Sequence, residues 1–154
     1  MSRDTIETLY TSLRKLDGAA MAACYATDAR FQDPVFTLQG RERVGGMWRM
    51  LADAVLTKGK DVWRVDFSQV TDTSAHWEAH YRFSATGRPV HNIMESRFEF
   101  DKAGLIVNQI DHFDFWRWSR QALGTPGVLL GWTPMLHNKV RAQAAANLDK
   151  YLAR

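Results

Sequence analysis

Apolar residues recur at helical spacing near the start of the chain: Ile6, Leu9, Tyr10, Leu13 and Leu16 share one face of the segment Asp4 to Leu16, with Ser2 or Asp4 placed to cap it. Asp17-Gly18 ends that helix. The run AAMAACYA predicts a second short helix whose alanines allow close approach to the first. Asp33-Pro34 interrupts residues 30–39 and favours a strand or loop there. A third helix is predicted from Arg41 to Ala54, with Val44, Met47, Trp48 and Leu51 on one stripe, although Gly45-Gly46 weakens it. From Val62 the period becomes two. Trp77, Ala79, Tyr81 and Phe83 alternate with polar residues, and Asn92, Met94, Ser96, Phe98 and Phe100 do so in the next run. Gly87-Arg88-Pro89 and Asp101-Lys102-Ala103-Gly104 read as hairpin turns leading to a last strand, so strands are predicted at 74–86, 90–101 and 105–115.

Helices followed by a run of strands give an α+β class: a curved antiparallel sheet wrapped around helices, with a C-terminal helical extension. The expected division is a cone at 1–115 and an extension at 116–154. In the extension, a short helix, an apolar Gly/Pro-containing loop and a closing helix from Thr133 to Leu152 are predicted. Val128, Leu129, Leu130 and Trp132 each favour burial by roughly 1.5–3 kcal/mol. The loop is therefore expected to close over the cone mouth as a lid, and attachment to an anionic membrane surface is the disfavoured alternative.

The 154 residues suit one domain, and 45% apolar with 24% charged residues is a globular composition. The lone Cys24 has no disulfide or zinc partner spacing, and neither a signal peptide nor a membrane span is evident, so a cytoplasmic protein is expected. Charge is uneven: residues 1–115 carry a net −2 and residues 116–154 a net +5, six Lys/Arg against Asp149 alone. Without a cluster of these cations, nucleic-acid binding is not expected.

Helix 1 with Tyr10, the segment AMAACYATDARFQDPVF, the helix GRERVGGMWRML and the hairpins ending IDHFDFW resemble the nuclear-transport-factor-two-like superfamily, in particular SnoaL-type polyketide cyclases and ketosteroid isomerase. The resemblance spans about residues 4–115. It implies a cone-shaped, cystatin-like roll that commonly dimerises through the outer sheet face. It also implies that Asp33, in its Asp-Pro-Val setting, is a general base and that Tyr10 is an oxyanion donor. Ser96 stands where ketosteroid isomerase keeps a protonated aspartic acid, whereas Asp111 matches the carboxylate that cyclases and epoxide hydrolases keep in the last strand.

Asp111 has the parity of Gln109 and Phe113, which the resemblance places toward the pocket. A carboxyl in an apolar cone is poorly solvated when charged, which makes it usable as an acid or base near neutrality. If Asp33 and Asp111 share one cavity, the more buried one holds its proton and the other abstracts. Asp33 can equally serve as a turn residue bonded to backbone N–H groups. Asn92 and Ser96 are candidates to orient a ligand oxygen, and Trp48, Trp77 and Phe113 to wall the pocket. His76 and His80 lie about 13 Å apart on a strand and cannot share a metal. No nucleotide-binding or covalent-nucleophile motif is present. The expectation is a cofactor-free, metal-free isomerase, cyclase or dehydratase that moves a proton next to a carbonyl on a hydrophobic small molecule, as a homodimer. A small-molecule carrier or a dimeric interaction module of the same fold is the alternative.

Overall fold

The computed structural model describes residues 2–154. Six helices and six strands follow one another as α1 (Ser2–Arg14), α2 (Gly18–Ala22), β1 (Tyr25–Gln32), β2 (Thr37–Gln39), α3 (Arg41–Thr57), β3 (Arg64–Ser68), β4 (Ser74–Arg82), β5 (Pro89–Phe100), β6 (Ile106–His112), α4 (Phe115–Leu123), α5 (Thr125–Leu130) and α6 (Pro134–Leu152). The strands form one curved sheet in the order β2-β1-β6-β5-β4-β3. The α+β class read from the pattern is thus the observed one.

Alternation sets the two sheet faces. Val90, Asn92, Met94, Ser96 and Phe98 of β5 are buried while their neighbours point outward. Onto this inner face α1 delivers Ile6, Leu9, Tyr10 and Leu13, and α3 delivers Val44, Met47 and Trp48.

Three local expectations change. The alanine-rich segment leaves the helix at Ala22, because the Cys24 carbonyl accepts the Ile106 N–H at 2.9 Å and Tyr25 turns its fully buried ring into the core. Pairing with the sheet outweighs helix propensity there. The sheet is also not wholly antiparallel: β1 runs parallel to β6, with Phe31 beside Gln109 and Gln32 beside Ile110. Finally, the last strand stops at His112, and Asp114 caps α4 by accepting the Arg117 N–H at 3.0 Å.

The segment expected to be an apolar lid is instead the short helix α5, and its large side chains face outward. Gly127 and Gly131, one turn apart, form its inner face against α4. A Cβ at Gly127 would lie 1.9 Å from the Ser119 carbonyl oxygen, and one at Gly131 would lie 2.0 Å from Ser119 Oγ. With glycines inside, Val128, Leu129 and Leu130 remain exposed, as does Trp132 beyond the helix. The closing helix α6 packs on α3 and on the Asp33-Pro34 turn, and buries Leu148 fully. The same logic explains the glycine pair in α3: Gly45 meets Ala22 and Gly46 meets Leu152 and Leu148, so the absent side chains admit α2 and α6.

Gly127→Ala must displace α5 from α4, since its contact is with backbone. A loss of about 1–3 kcal/mol is expected, read as a lowered melting temperature. An unchanged melting temperature would contradict this packing.

Candidate active site

Asp33 lies one step past the end of β1, and Asp111 lies within β6. Extending the parallel register by one residue beyond Gln32–Ile110 sets Asp33 beside Asp111, and both share the inward parity of Phe31 and Gln109. The charge of Asp33 is felt at Asp111, where it is the smallest of the influences on that carboxyl.

Each carboxyl is held from one side. Asp33 Oδ1 accepts the backbone N–H groups of Val35 at 2.7 Å and Phe36 at 2.6 Å, the turn that Pro34 favours. Asp111 Oδ1 accepts the Ser96 hydroxyl at 2.5 Å and Gln109 Nε2 at 2.9 Å. Behind these donors stands a directed chain. Tyr10 and Trp77 both donate to Ser96 Oγ at 2.8 Å. Trp48 donates to the Tyr25 hydroxyl at 2.9 Å, and Tyr25 donates to Gln109 Oε1 at 2.5 Å.

Burial wins over these bonds. It pushes the Asp111 carboxyl up to about 7 although Ser96 and Gln109 both favour the charged form, and the charge of Asp33 adds to the rise. Burial likewise raises Asp33 to about 6, against the opposing pull of the two backbone N–H groups and Arg141. Two carboxyls with near-neutral affinity for a proton therefore lie toward the same end of the β1–β6 pair.

The remaining candidates separate into supporting and available groups. Tyr10 is fully buried with its hydroxyl committed to Ser96, not open to a ligand oxygen as the resemblance implied. Ser96 uses its one donor and both acceptor positions inside the protein, which leaves it nothing for a ligand. Trp48 and Trp77 pack at 6.2 Å as part of the core, with Phe31 edge-on to Trp48. Phe113 is buried near Trp118. Asn92 is buried and faces inward opposite Ala79.

Sequence reasoning missed Tyr81 and the α6 residues. Tyr81 faces inward from β4 and accepts Trp118 Nε1 at 2.8 Å, so its own O–H stays free to donate. Burial raises it well above the ordinary tyrosine range, and the charge of Asp33 contributes. The inward parity of Trp77, Ala79, Tyr81 marks this position. Over the Asp33 turn, His137 donates to the Pro34 carbonyl at 2.5 Å and stacks on Phe115, while Arg141 reaches the Pro34 carbonyl at 3.1 Å and Thr37 Oγ1 at 3.0 Å. Contacts across some 100 residues leave no local trace in a sequence.

The histidines with outward parity lie on the opposite sheet face. His76 bonds Glu78 at 2.8 Å and also meets Glu95; His91 bonds Glu78 at 2.7 Å and stacks on His80. Among the described residues no group of three His, Cys, Asp or Glu side chains could hold a metal, and no helix is long and apolar enough to cross a membrane.

Raised carboxyl affinities give a definite sign to the pH dependence of stability. The folded protein retains protons on Asp33 and Asp111 that the unfolded chain releases near pH ~4. The stabilisation is complete below that pH and is lost as pH rises through about 6 to 7. Asp111→Asn keeps both accepted hydrogen bonds and removes its share, on the order of 4 kcal/mol at most. Urea unfolding should therefore show the wild type losing stability relative to Asp111→Asn between about pH 4 and pH 8. Parallel curves would contradict the raised affinity.

Comparison with known proteins agrees with this fold. Residues 6–109 match the SnoaL-like domain family. No curated protein matches the sequence significantly. Among solved structures, a ketosteroid isomerase-like protein from Catenulispora acidiphila, in complex with trimethylamine, superposes with a TM-score of 0.61 at 17% identity, over 84% of this chain and 97% of that one. A protein designated a polyketide cyclase from a Silicibacter species gives 0.60 at 15% identity over 79% and 94%. A cystatin-like protein from Silicibacter pomeroyi gives 0.54 at 14% identity over 93% and 84%. Identities this low carry the fold alone. With two thirds of its length matched and its curved sheet shared, the chain belongs to the SnoaL-like domain family.

Proposed function

We propose that the protein is a cofactor-free enzyme that moves a proton next to a carbonyl of a hydrophobic small molecule, as an isomerase, cyclase or dehydratase does. The observation that carries this reading is the pair Asp33 and Asp111, adjacent in register and both raised toward neutrality. A base is most effective when its affinity lies near the working pH, and a partner acid must still hold its proton there. Asp33, raised less, abstracts the proton from carbon through Oδ2, since Oδ1 is occupied by the Val35 and Phe36 N–H groups. Asp111, raised more, keeps a proton on Oδ2 and returns it to carbon or to the departing oxygen.

The carbonyl oxygen gains negative charge in this step and needs donors directed at it. Tyr81, whose O–H is free, and the inward-facing Asn92 supply them in this reading. Tyr10 is then a positioning residue that acts through Ser96. The surrounding aromatic side chains exclude water and suit an apolar substrate. Access runs beside the Asp33 turn, where α6 must give way.

The outer sheet face is proposed to meet a second copy. It carries the exposed Ile93 and Ile110 among His76, Glu78, His91 and Glu95, a mixture of acids and bases that is self-complementary across a two-fold axis. A light-scattering mass near 17.6 kDa at micromolar concentration would contradict that dimer.

Solvent exchange tests the chemistry without knowledge of the natural substrate. In heavy water, the protein should accelerate deuterium incorporation next to the carbonyl of a hydrophobic β,γ-unsaturated ketone. Asp33→Asn should lower that rate roughly 100-fold or more, and Tyr81→Phe should lower it less. Binding of the ketone without any accelerated exchange would mark a carrier and overturn the enzymatic reading.

A further inference from the structure

The α4–α5–α6 corner carries an apolar surface that nothing in the fold covers. Leu129 is 63% exposed, Trp132 67% and Met135 67%, with Val128 and Leu130 beside them. Contiguous exposed apolar residues of this size are uncommon on a soluble monomer unless the surface has an occupant. The exposure follows from construction. Gly127 and Gly131 are locked against α4, so α5 cannot roll to bury its leucines without driving its backbone into Ser119.

Cations adjoin this patch. The Arg120 guanidinium stacks on the Trp116 ring at 4.9 Å, and the same ring donates to the Val128 carbonyl at 3.3 Å. Arg120 also borders a surface cleft of about 460 Å³ with Arg88, Pro89, Arg117 and Gln121. Among the described residues none of these three arginines forms an ion pair. Arg88 uses one N–H on the Gln121 carbonyl and Arg117 one on the His91 carbonyl, which leaves most of each fork unspent. The neighbouring Asp114 is engaged as the α4 cap.

An apolar tip that ends in a tryptophan, continuous with unpaired arginines, is complementary to a surface with phosphate oxygens outside and hydrocarbon beneath. We propose that this corner is a docking surface for an anionic lipid bilayer, with Leu129, Leu130 and Trp132 inserted at the headgroup boundary and Arg88, Arg117 and Arg120 on lipid phosphates. The arginine fork suits phosphate geometrically, and tryptophan suits the interface because its ring is apolar while its N–H is polar. The inference reverses the preference for a lid that the apolar pattern alone suggested, and it does not depend on the acid-base reading of Asp33 and Asp111.

Cosedimentation of the full chain tests it. Vesicles of neutral phosphatidylcholine are compared with vesicles in which about a third of the lipid is phosphatidylglycerol, at about 0.1 M salt. The wild type should pellet with the anionic vesicles and not with the neutral ones, and added salt should release it. Leu129→Glu with Trp132→Glu should abolish pelleting, and Arg88→Gln with Arg120→Gln should weaken it roughly tenfold or more. Both double variants change exposed side chains, so thermal melts should match the wild type and confirm that they fold. Failure to pellet with either vesicle overturns the proposal, and so does equal, salt-insensitive pelleting with both. If the Leu129/Trp132 variant instead lowers the solution mass while the wild type ignores vesicles, the patch belongs to a second copy and the proposal falls.

Discussion

One buried carboxylate oxygen ties the cone together. Asp111 Oδ1 receives the Ser96 hydroxyl and the Gln109 amide, and behind those two stand Tyr10 from α1, Tyr25 from β1, Trp48 from α3 and Trp77 from β4. Every donor in the chain points toward Asp111, so the side chains that close the core also set the state of one titratable group. Such a network is fully satisfied among the described residues, and a partly satisfied one would be worse than an apolar core. Yet it does not hold the carboxyl ionised, because removal from water costs more than two hydrogen bonds return. The outcome is a carboxyl whose position is rigid and whose proton is exchangeable near neutrality.

The second carboxyl reaches that site through topology. β1 and β6 lie some 80 residues apart in sequence and pair in parallel, which brings the Asp33-Pro34 turn next to Asp111. Pro34 ends β1, the Asp33 side chain folds back onto two N–H groups of its own turn, and α6 seals the turn through His137 and Arg141. The C-terminal helix is thereby linked to the candidate chemistry, whereas α5, lying between it and α4, turns its apolar side away from the cone. One extension carries two surfaces with different tasks.

Much of this was legible in the sequence, and the limits have physical causes. Period-two alternation marked β4, β5 and β6 and gave the inward parity of Asn92, Ser96 and Asp111. The Asp-Pro-Val segment and its family resemblance singled out Asp33. The parallel β1–β6 pairing was not legible, because hairpin turns announce only antiparallel neighbours. Tyr25 was read as helical since local propensity says nothing of a partner strand. Tyr10 was read as a ligand donor, though its hydroxyl is committed to Ser96, an acceptor 86 residues away. In α5 the large apolar residues were taken for a lid since hydropathy predicts burial; the two glycines that decide its orientation act only through contact with Ser119.

The central claim is that burial, with a smaller contribution at Asp111 from the Asp33 charge, sets two carboxyls near neutrality. Carbon-13 NMR titration of the aspartate side chains measures this directly. Asp33 and Asp111 should titrate near 6 and 7, and Asp33→Asn should lower the Asp111 midpoint slightly by removing the neighbouring charge. Midpoints near the ordinary aspartate value of about 4, or an Asp111 midpoint indifferent to Asp33→Asn, would contradict the account.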